Sequence, residues 1–315
     1  MSGVKRMGGC GVRRGRVGNL VPLYPIMKTS IAAFVVLTSG LAAAAPELIW
    51  ETKGFVGPES VVHDAARDVL YISNMGTHGE GQTAGDGFIS RVSADGKILD
   101  LKWVTGFDNP KGLALVKDRL YVGDDKDLVE IDVAAGKVVG RHAPADGPGD
   151  FNDCTADPDG NVYVSSGRLG EVFRLSEGKF ESWVTLDRAK TGWINGLRAE
   201  KDRLLLGGWT VRGADGKEQL GHISTISFKD KSLGRIGSEP ICHVDGLEPD
   251  GKSGYTVTDW ISGDVIHVSA DGKPTPLMTL VKGTADHEYI VERKQMLVPL
   301  MNDNVLRAYR WAPGS

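Results

Sequence analysis

Three things are scarce in this chain. Cysteine is the first: 315 residues hold only Cys10, Cys154 and Cys242, too few for a disulfide-stapled scaffold or a thiolate zinc ribbon. Long apolar runs are the second. The best, Ile31 to Leu41, falls short of the roughly 20 residues that span a bilayer as a helix. Sustained helical periodicity is the third, and without it a doubly wound α/β fold is disfavoured. The sequence also has no G-x-S-x-G elbow and no H-E-x-x-H pair. Its glycine-rich stretch from Gly79 to Gly87 lacks the Gly-Lys-Ser/Thr ending of a phosphate loop.

Acidic residues are missing from positions 1–45, where Lys5, Arg6, Arg13, Arg14, Arg16 and Lys28 stand. A basic start, a short apolar run and the small residues Ala42 to Ala45 have the order of a secretory signal peptide over residues 1–44, with Met27 as an alternative start. Cleavage after Ala44 would release a periplasmic or secreted chain without a stable membrane span. It would also take six of the 37 basic residues, leaving 31 against 41 acidic ones and a formal charge of −10 in place of −4. Such a surface offers no footprint for nucleic acid and suits small neutral or cationic partners. Cys154 and Cys242 would then either form one bridge between blades or stay as two buried thiols.

What is present is a repeat. Glu59-Ser-Val-Val, Lys111-Gly-Leu-Ala-Leu, Asn152-Asp-Cys-Thr-Ala, Asn195-Gly-Leu-Arg, Asp245-Gly-Leu-Glu and His287-Glu-Tyr-Ile recur at roughly 40–50 residues, the length of a four-stranded propeller blade. Each is followed by a β-branched or aromatic run such as Val69-Leu-Tyr-Ile-Ser or Asn161-Val-Tyr-Val-Ser, then by a third strand such as Phe88-Ile-Ser-Arg-Val. The expectation is an all-β, six-bladed β-propeller over residues 45–315. Its last blade lacks an outer strand, which Glu47-Leu-Ile-Trp-Glu can supply, removing the exposed edges of an open array.

In a propeller the first strand of each blade lines the central channel, so residues opening successive repeats converge on one axis. Glu59, Asn152, Asn195 and Asp245 hold that station in repeats one, three, four and five. Two carboxylates and two amides suit a hard divalent cation, Ca²⁺ above others; zinc fits less well, because the set holds neither thiolate nor imidazole. Each dipeptide taken alone, Asn-Gly, Asp-Gly or Asn-Asp, reads equally as a turn. His287 and Glu288 open the sixth repeat, Lys111 stands at the station in the second, and Trp193 and His243 each precede a candidate ligand by two residues. All five are candidates for the substrate pocket. The longest connections, Asn74 to Gly87 and Trp209 to Gly221, join second to third strands and fall on the same face, where they are candidate lids.

Gly57-Pro-Glu59-Ser, Asn152-Asp153, Asn195-Gly-Leu and Asp245-Gly-Leu, in this order and at blade spacing, resemble the senescence marker protein/gluconolactonase/luciferin-regenerating enzyme family of propellers over essentially the whole chain after the leader. The resemblance implies that Glu59, Asn195 and Asp245 are metal ligands, with Asn152 contributing directly or through water. It also implies metal-assisted hydrolysis of a lactone, with Asp245 or Asp153 as the base. Asp150 stands where sugar-lactonase members often carry a substrate-binding Arg, and Cys154 where Gly is common. These departures separate the metal set from any expectation of a gluconolactone-like substrate. A non-catalytic periplasmic binding propeller, with calcium tying the blades together, is the alternative.

Overall fold

The computed structural model describes residues 45–77, 81, 83–213 and 215–314. The expected leader lies outside these residues, as do 78–80 and 82 of the first candidate lid and 214 of the second. No helix among the described residues is long and apolar enough to cross a membrane.

The strands form six antiparallel sheets, each one blade of a propeller. The inner strands are Pro58–Asp64, Leu113–Val116, Cys154–Ala156, Trp193–Ala199, Val244–Pro249 and Glu288–Ile290. Val69–Asn74, Arg119–Gly123, Val162–Ser166, Arg203–Arg212, Tyr255–Asp259 and Gln295–Leu300 lie next to them as second strands. Local chemistry makes the hairpins. In blade 3, Asp157 Oδ1 accepts from the N–H groups of Asp159 and Asn161, and Gly160 takes the left-handed φ of 89° that the turn needs.

The outer strand of blade 6 is Glu47–Lys53, which pairs with Val305–Arg310. The pairing is reinforced on its exposed side by Arg307 donating to Glu51 at 2.8 Å. Apolar residues alternate to the blade faces and meet at the junctions between neighbouring sheets. One such cluster joins Tyr71, Ile89 and Phe107 to Leu120 and Val129. Another joins Val61, Leu70 and Ile72 of blade 1 to Leu297 and Leu306 of blade 6. The core is thus a ring of wedges around a channel, and only the inner strands reach the axis.

Of the two expectations for the cysteines, the structure has the thiols. Cys154 is buried between blades 2 and 3 and Cys242 between blades 4 and 5, both free. Burial pushes both thiols well up.

Candidate metal and substrate pocket

The candidate ligands do not sit in turns. Asn195-Gly196 and Asp245-Gly246 lie inside inner strands, and neither glycine has a positive φ. Their small size serves close approach instead: a Cβ on Gly196 would stand 2.2 Å from Asp245 O, and one on Gly246 2.5 Å from His287 Nδ1. The strand register slips between Pro58 and Val61, between Ile194 and Leu197, and between Val244 and Leu247. These irregularities bracket Glu59, Asn195 and Asp245, and a bulge of this kind re-aims a side chain that a regular strand would point elsewhere.

The N–H groups that follow Glu59, Asn152 and Asp245 are each caught by a buried hydroxyl on the second strand. Ser60 N donates to Ser73 Oγ at 2.9 Å, Asp153 N to Ser165 Oγ at 3.0 Å and Gly246 N to Thr258 Oγ1 at 2.8 Å. Ser165 and Thr258 each pass a hydrogen bond on to the next blade, to Asn195 O and Ala285 O, both at 2.9 Å. Three hydroxyls at one repeat position therefore fix the backbone of the site.

The four candidate ligands come together. Glu59, Asn152, Asn195 and Asp245 line one pocket of 240 Å³ with Met75, Trp209, Trp260 and Met301. Asn195 Nδ2 donates to Asp245 Oδ1 at 2.8 Å, which fixes the amide so that its oxygen is left over. Asn195 Oδ1 and Glu59 Oε2 are buried with no hydrogen-bond partner. Burial pushes the Glu59 carboxyl well up, Asp245 and Asp286 add repulsion, and Lys111 offsets part of it. Asp245 is pushed up to about 7 by burial, against the Asn195 hydrogen bond and with repulsion from Asp259.

Two crowded carboxyls and an orphaned amide oxygen are what a divalent cation satisfies, so the donor set fits calcium. Among the described residues no group of three His, Cys, Asp or Glu side chains is placed to hold a metal. The fit rests on the mixed carboxylate and amide set.

The other candidates lie elsewhere. Asp153 lines a separate cavity of 420 Å³ at the other end of the inner strands, and its Oδ2 accepts from Leu197 N. Of the two carboxylates expected as base, Asp245 lines the ligand pocket and Asp153 does not. His287 and Glu288 also face that second cavity, because the sixth repeat is offset by two residues from its expected opening. Ala285 N donates to Pro299 O just as Asn152 N donates to Ser165 O, so Ala285, with only a methyl, holds the ligand station of blade 6. Lys111 does hold the station of blade 2, but its Nζ is engaged by Asp125 Oδ1 at 3.2 Å and Phe151 O at 3.3 Å. Trp193 is exposed with Arg188 over its ring at 5.2 Å. His243 holds Asp259 Oδ2 at 3.2 Å and backs the Trp209 ring at 5.5 Å.

Of the candidate lids, the second is a continuation of the blade: Thr210 pairs with Leu220 and Arg212 with Glu218. In the first, Thr77 N donates to Asp86 Oδ2 at 2.9 Å.

Sequence reasoning missed the apolar wall and the charged groups of the far cavity, Arg198, Glu248 and Asp286. For the wall a signal existed. Met75, Trp209, Trp260 and Met301 each stand two residues beyond the same second-strand position, held by Ser73, Gly207, Thr258 and Pro299.

No protein-family model and no curated protein matches the sequence. Fold comparison finds a gluconolactonase from Xanthomonas campestris, with a TM-score of 0.61 over 86% of this chain and 97% of that one, at 14% identity. The likeness is one of fold.

Proposed function

We propose that the chain is an exported, divalent-metal-dependent hydrolase of lactones or related esters, with Ca²⁺ as the metal. The observation that carries this is the convergence of four oxygen-bearing side chains from four blades on one pocket, with Glu59 Oε2 and Asn195 Oδ1 buried and unpartnered. The fold shared with a gluconolactonase supports the same reading.

Glu59, Asn152, Asn195 and Asp245 would hold the cation, which when bound supplies Lewis acidity to a carbonyl oxygen. Asn195 locks the Asp245 carboxylate through its Nδ2. Asp245 takes the proton of a water as that water's oxygen bonds to the acyl carbon, then returns the proton to the ring oxygen as the ring C–O bond breaks.

A calorimetric Ca²⁺ titration of chelator-stripped protein, followed by a lactone panel on the loaded protein, tests the reading. One site and calcium-dependent turnover are expected. Absence of binding would sink the metal site, and binding without any turnover would favour a structural calcium in a binding propeller. N-terminal sequencing of exported protein, expected to begin at Ala45, tests the processing.

A further inference from the structure

Six residues ring the mouth of the ligand pocket at the same repeat position, two beyond the hydroxyl station of each second strand: Met75, Asp125, Gly167, Trp209, Trp260 and Met301. They are not evenly mixed. The four apolar ones come from blades 4, 5, 6 and 1, which are consecutive around the ring, and they are the four that line the pocket beside the candidate ligands. Asp125 and Gly167 come from blades 2 and 3, and Asp125 is occupied by Lys111. A Cβ on Gly167 would meet the Trp193 indole at 2.4 Å. The hydrocarbon arc is thus continuous over blades 4, 5, 6 and 1, while the blade 2 and 3 positions carry the Lys111–Asp125 pair and the Trp193 indole over Gly167.

The arc is held in place. Trp209 and Trp260, from adjacent blades, are tilted by 48° with centroids 6.4 Å apart. His243, itself bound to Asp259, backs Trp209, and Lys282 Nζ sits 5.2 Å over the Trp260 ring. Met301 is buried, whereas Met75 and both Trp rings remain partly open, leaving apolar surface for a ligand to cover.

We infer that this pocket selects a lactone or ester bearing an apolar substituent, a short alkyl chain or an aryl ring, over a polyhydroxylated sugar lactone. The inference rests on the hydrolase reading above and names its substrate class. Beyond the four candidate ligands the lining carries no hydroxyl, amide, carboxylate or cationic side chain. Each sugar hydroxyl taken from water there without a partner would cost about 1–3 kcal/mol. An alkyl or aryl group gains instead from covering Trp and Met surface. At 240 Å³ the pocket is smaller than the roughly 300–1,000 Å³ of drug-sized sites, which limits the substituent to a few carbons beyond the ring.

The test uses the calcium-loaded chain and three probes, glucono-δ-lactone, δ-valerolactone and the alkyl-substituted δ-nonalactone. Binding of the unreactive lactams corresponding to the last two is followed in parallel through tryptophan fluorescence. The expected kcat/KM order is δ-nonalactone above δ-valerolactone above gluconolactone, with the first at least about tenfold over the last. The alkyl lactam is expected to quench and to bind more tightly than the plain one. In Trp209→Ala and Trp260→Ala the ratio of nonalactone to valerolactone kcat/KM, and the matching lactam ratio, should fall by about tenfold.

Gluconolactone turned over as well as nonalactone, or an alkyl preference unmoved by both variants, would overturn the inference while leaving the hydrolase reading standing. If calcium binds but no lactone is hydrolysed, the lactam ratios decide the apolar wall by themselves. Equal binding of the two lactams then counts against it.

Discussion

The two ends of the inner strands both carry acids, two along the ligand pocket and five along the far cavity, and treat them in opposite ways. At the far end Arg198 supplies a built-in cation: its Nη1 donates to Glu248 Oε1 and lies 2.8 Å from Oε2. Asp286 there accepts from Ser60 Oγ at 2.6 Å, and Asp153 from Leu197 N. At the ligand end, no lining residue is basic, and carboxylate and amide oxygens are left over. Acid density alone therefore does not mark a site. Glu248 Oε2 lacks a hydrogen bond yet sits against Arg198, whereas Glu59 Oε2 and Asn195 Oδ1 have no basic group in contact, and oxygens in that state call for an outside cation.

The sharpest way to break this contrast is at Asp245. Asp245→Asn keeps the shape and the buried hydrogen-bonding capacity but removes one of two carboxylates and the base. Lactone hydrolysis should fall by roughly 10²–10⁴-fold, and calorimetry should show weaker Ca²⁺ binding with the fold intact by circular dichroism. Retained turnover in a folded, calcium-loaded variant would remove Asp245 from the mechanism.

Arg198→Met tests the other end. It leaves Glu248, whose carboxyl burial pushes up to about 8 against the pull of Arg198, beside Glu288 with no cation. Truncating one partner of a fully buried pair costs about 3–5 kcal/mol. Arg198 keeps 33% of its side chain exposed, so about 1–3 kcal/mol in chemical denaturation is expected. Calcium affinity should move by less than about threefold. An effect of the reverse kind, with affinity lost and stability kept, would mean that the far cavity and not the ligand pocket holds the cation.

The architecture was legible because the repeat carries it: second and third strands fell where β-branched runs between Asp/Gly turns put them. The four ligand candidates were legible for the same reason, since one repeat position maps to one ring around the axis. What failed was local register. In blade 6 the polar pair His287-Glu288 suggests the repeat opening, whereas the hydrogen bond from Ala285 N to Pro299 O sets the true station two residues earlier. A slip of that size keeps the alternation of faces yet moves a side chain from one end of the channel toward the other. Asp153 was misplaced differently. It is adjacent to Asn152 in the segment leading into the inner strand, but its carboxylate turns the other way, capping Leu197 N and lining the far cavity. The apolar rim was overlooked because its members differ in type, Met or Trp, and only their common offset relates them.

The last expected effect, which appears only on acidification, concerns His287, which the offset carries into the far cavity. Its Nε2 lies 2.7 Å from Thr256 Oγ1 and its Nδ1 has no partner. Burial first, and then the Arg198 charge, hold the imidazole down to about 3, so it is neutral in the folded chain at any physiological pH. An unfolded chain titrates it near 6.5. Because the folded value is the lower one, the stability carried by the neutral ring is complete above pH 6.5 and drains away as pH falls toward 3. At pH 5 the loss amounts to roughly 2 kcal/mol. The carboxyls facing it, Glu248, Asp286 and Glu288, are raised by burial, so their protonation on acidification stabilises the fold and masks the trend in the wild type. The readout is therefore the difference in unfolding free energy between wild type and His287→Gln, measured in chelator at pH 7 and pH 5. It should shift toward the variant by about 2 kcal/mol on acidification. A difference that stays constant would mean that His287 is protonated in the folded chain, and that the far cavity is wetter and less self-contained than its Arg198–Glu248 pair makes it.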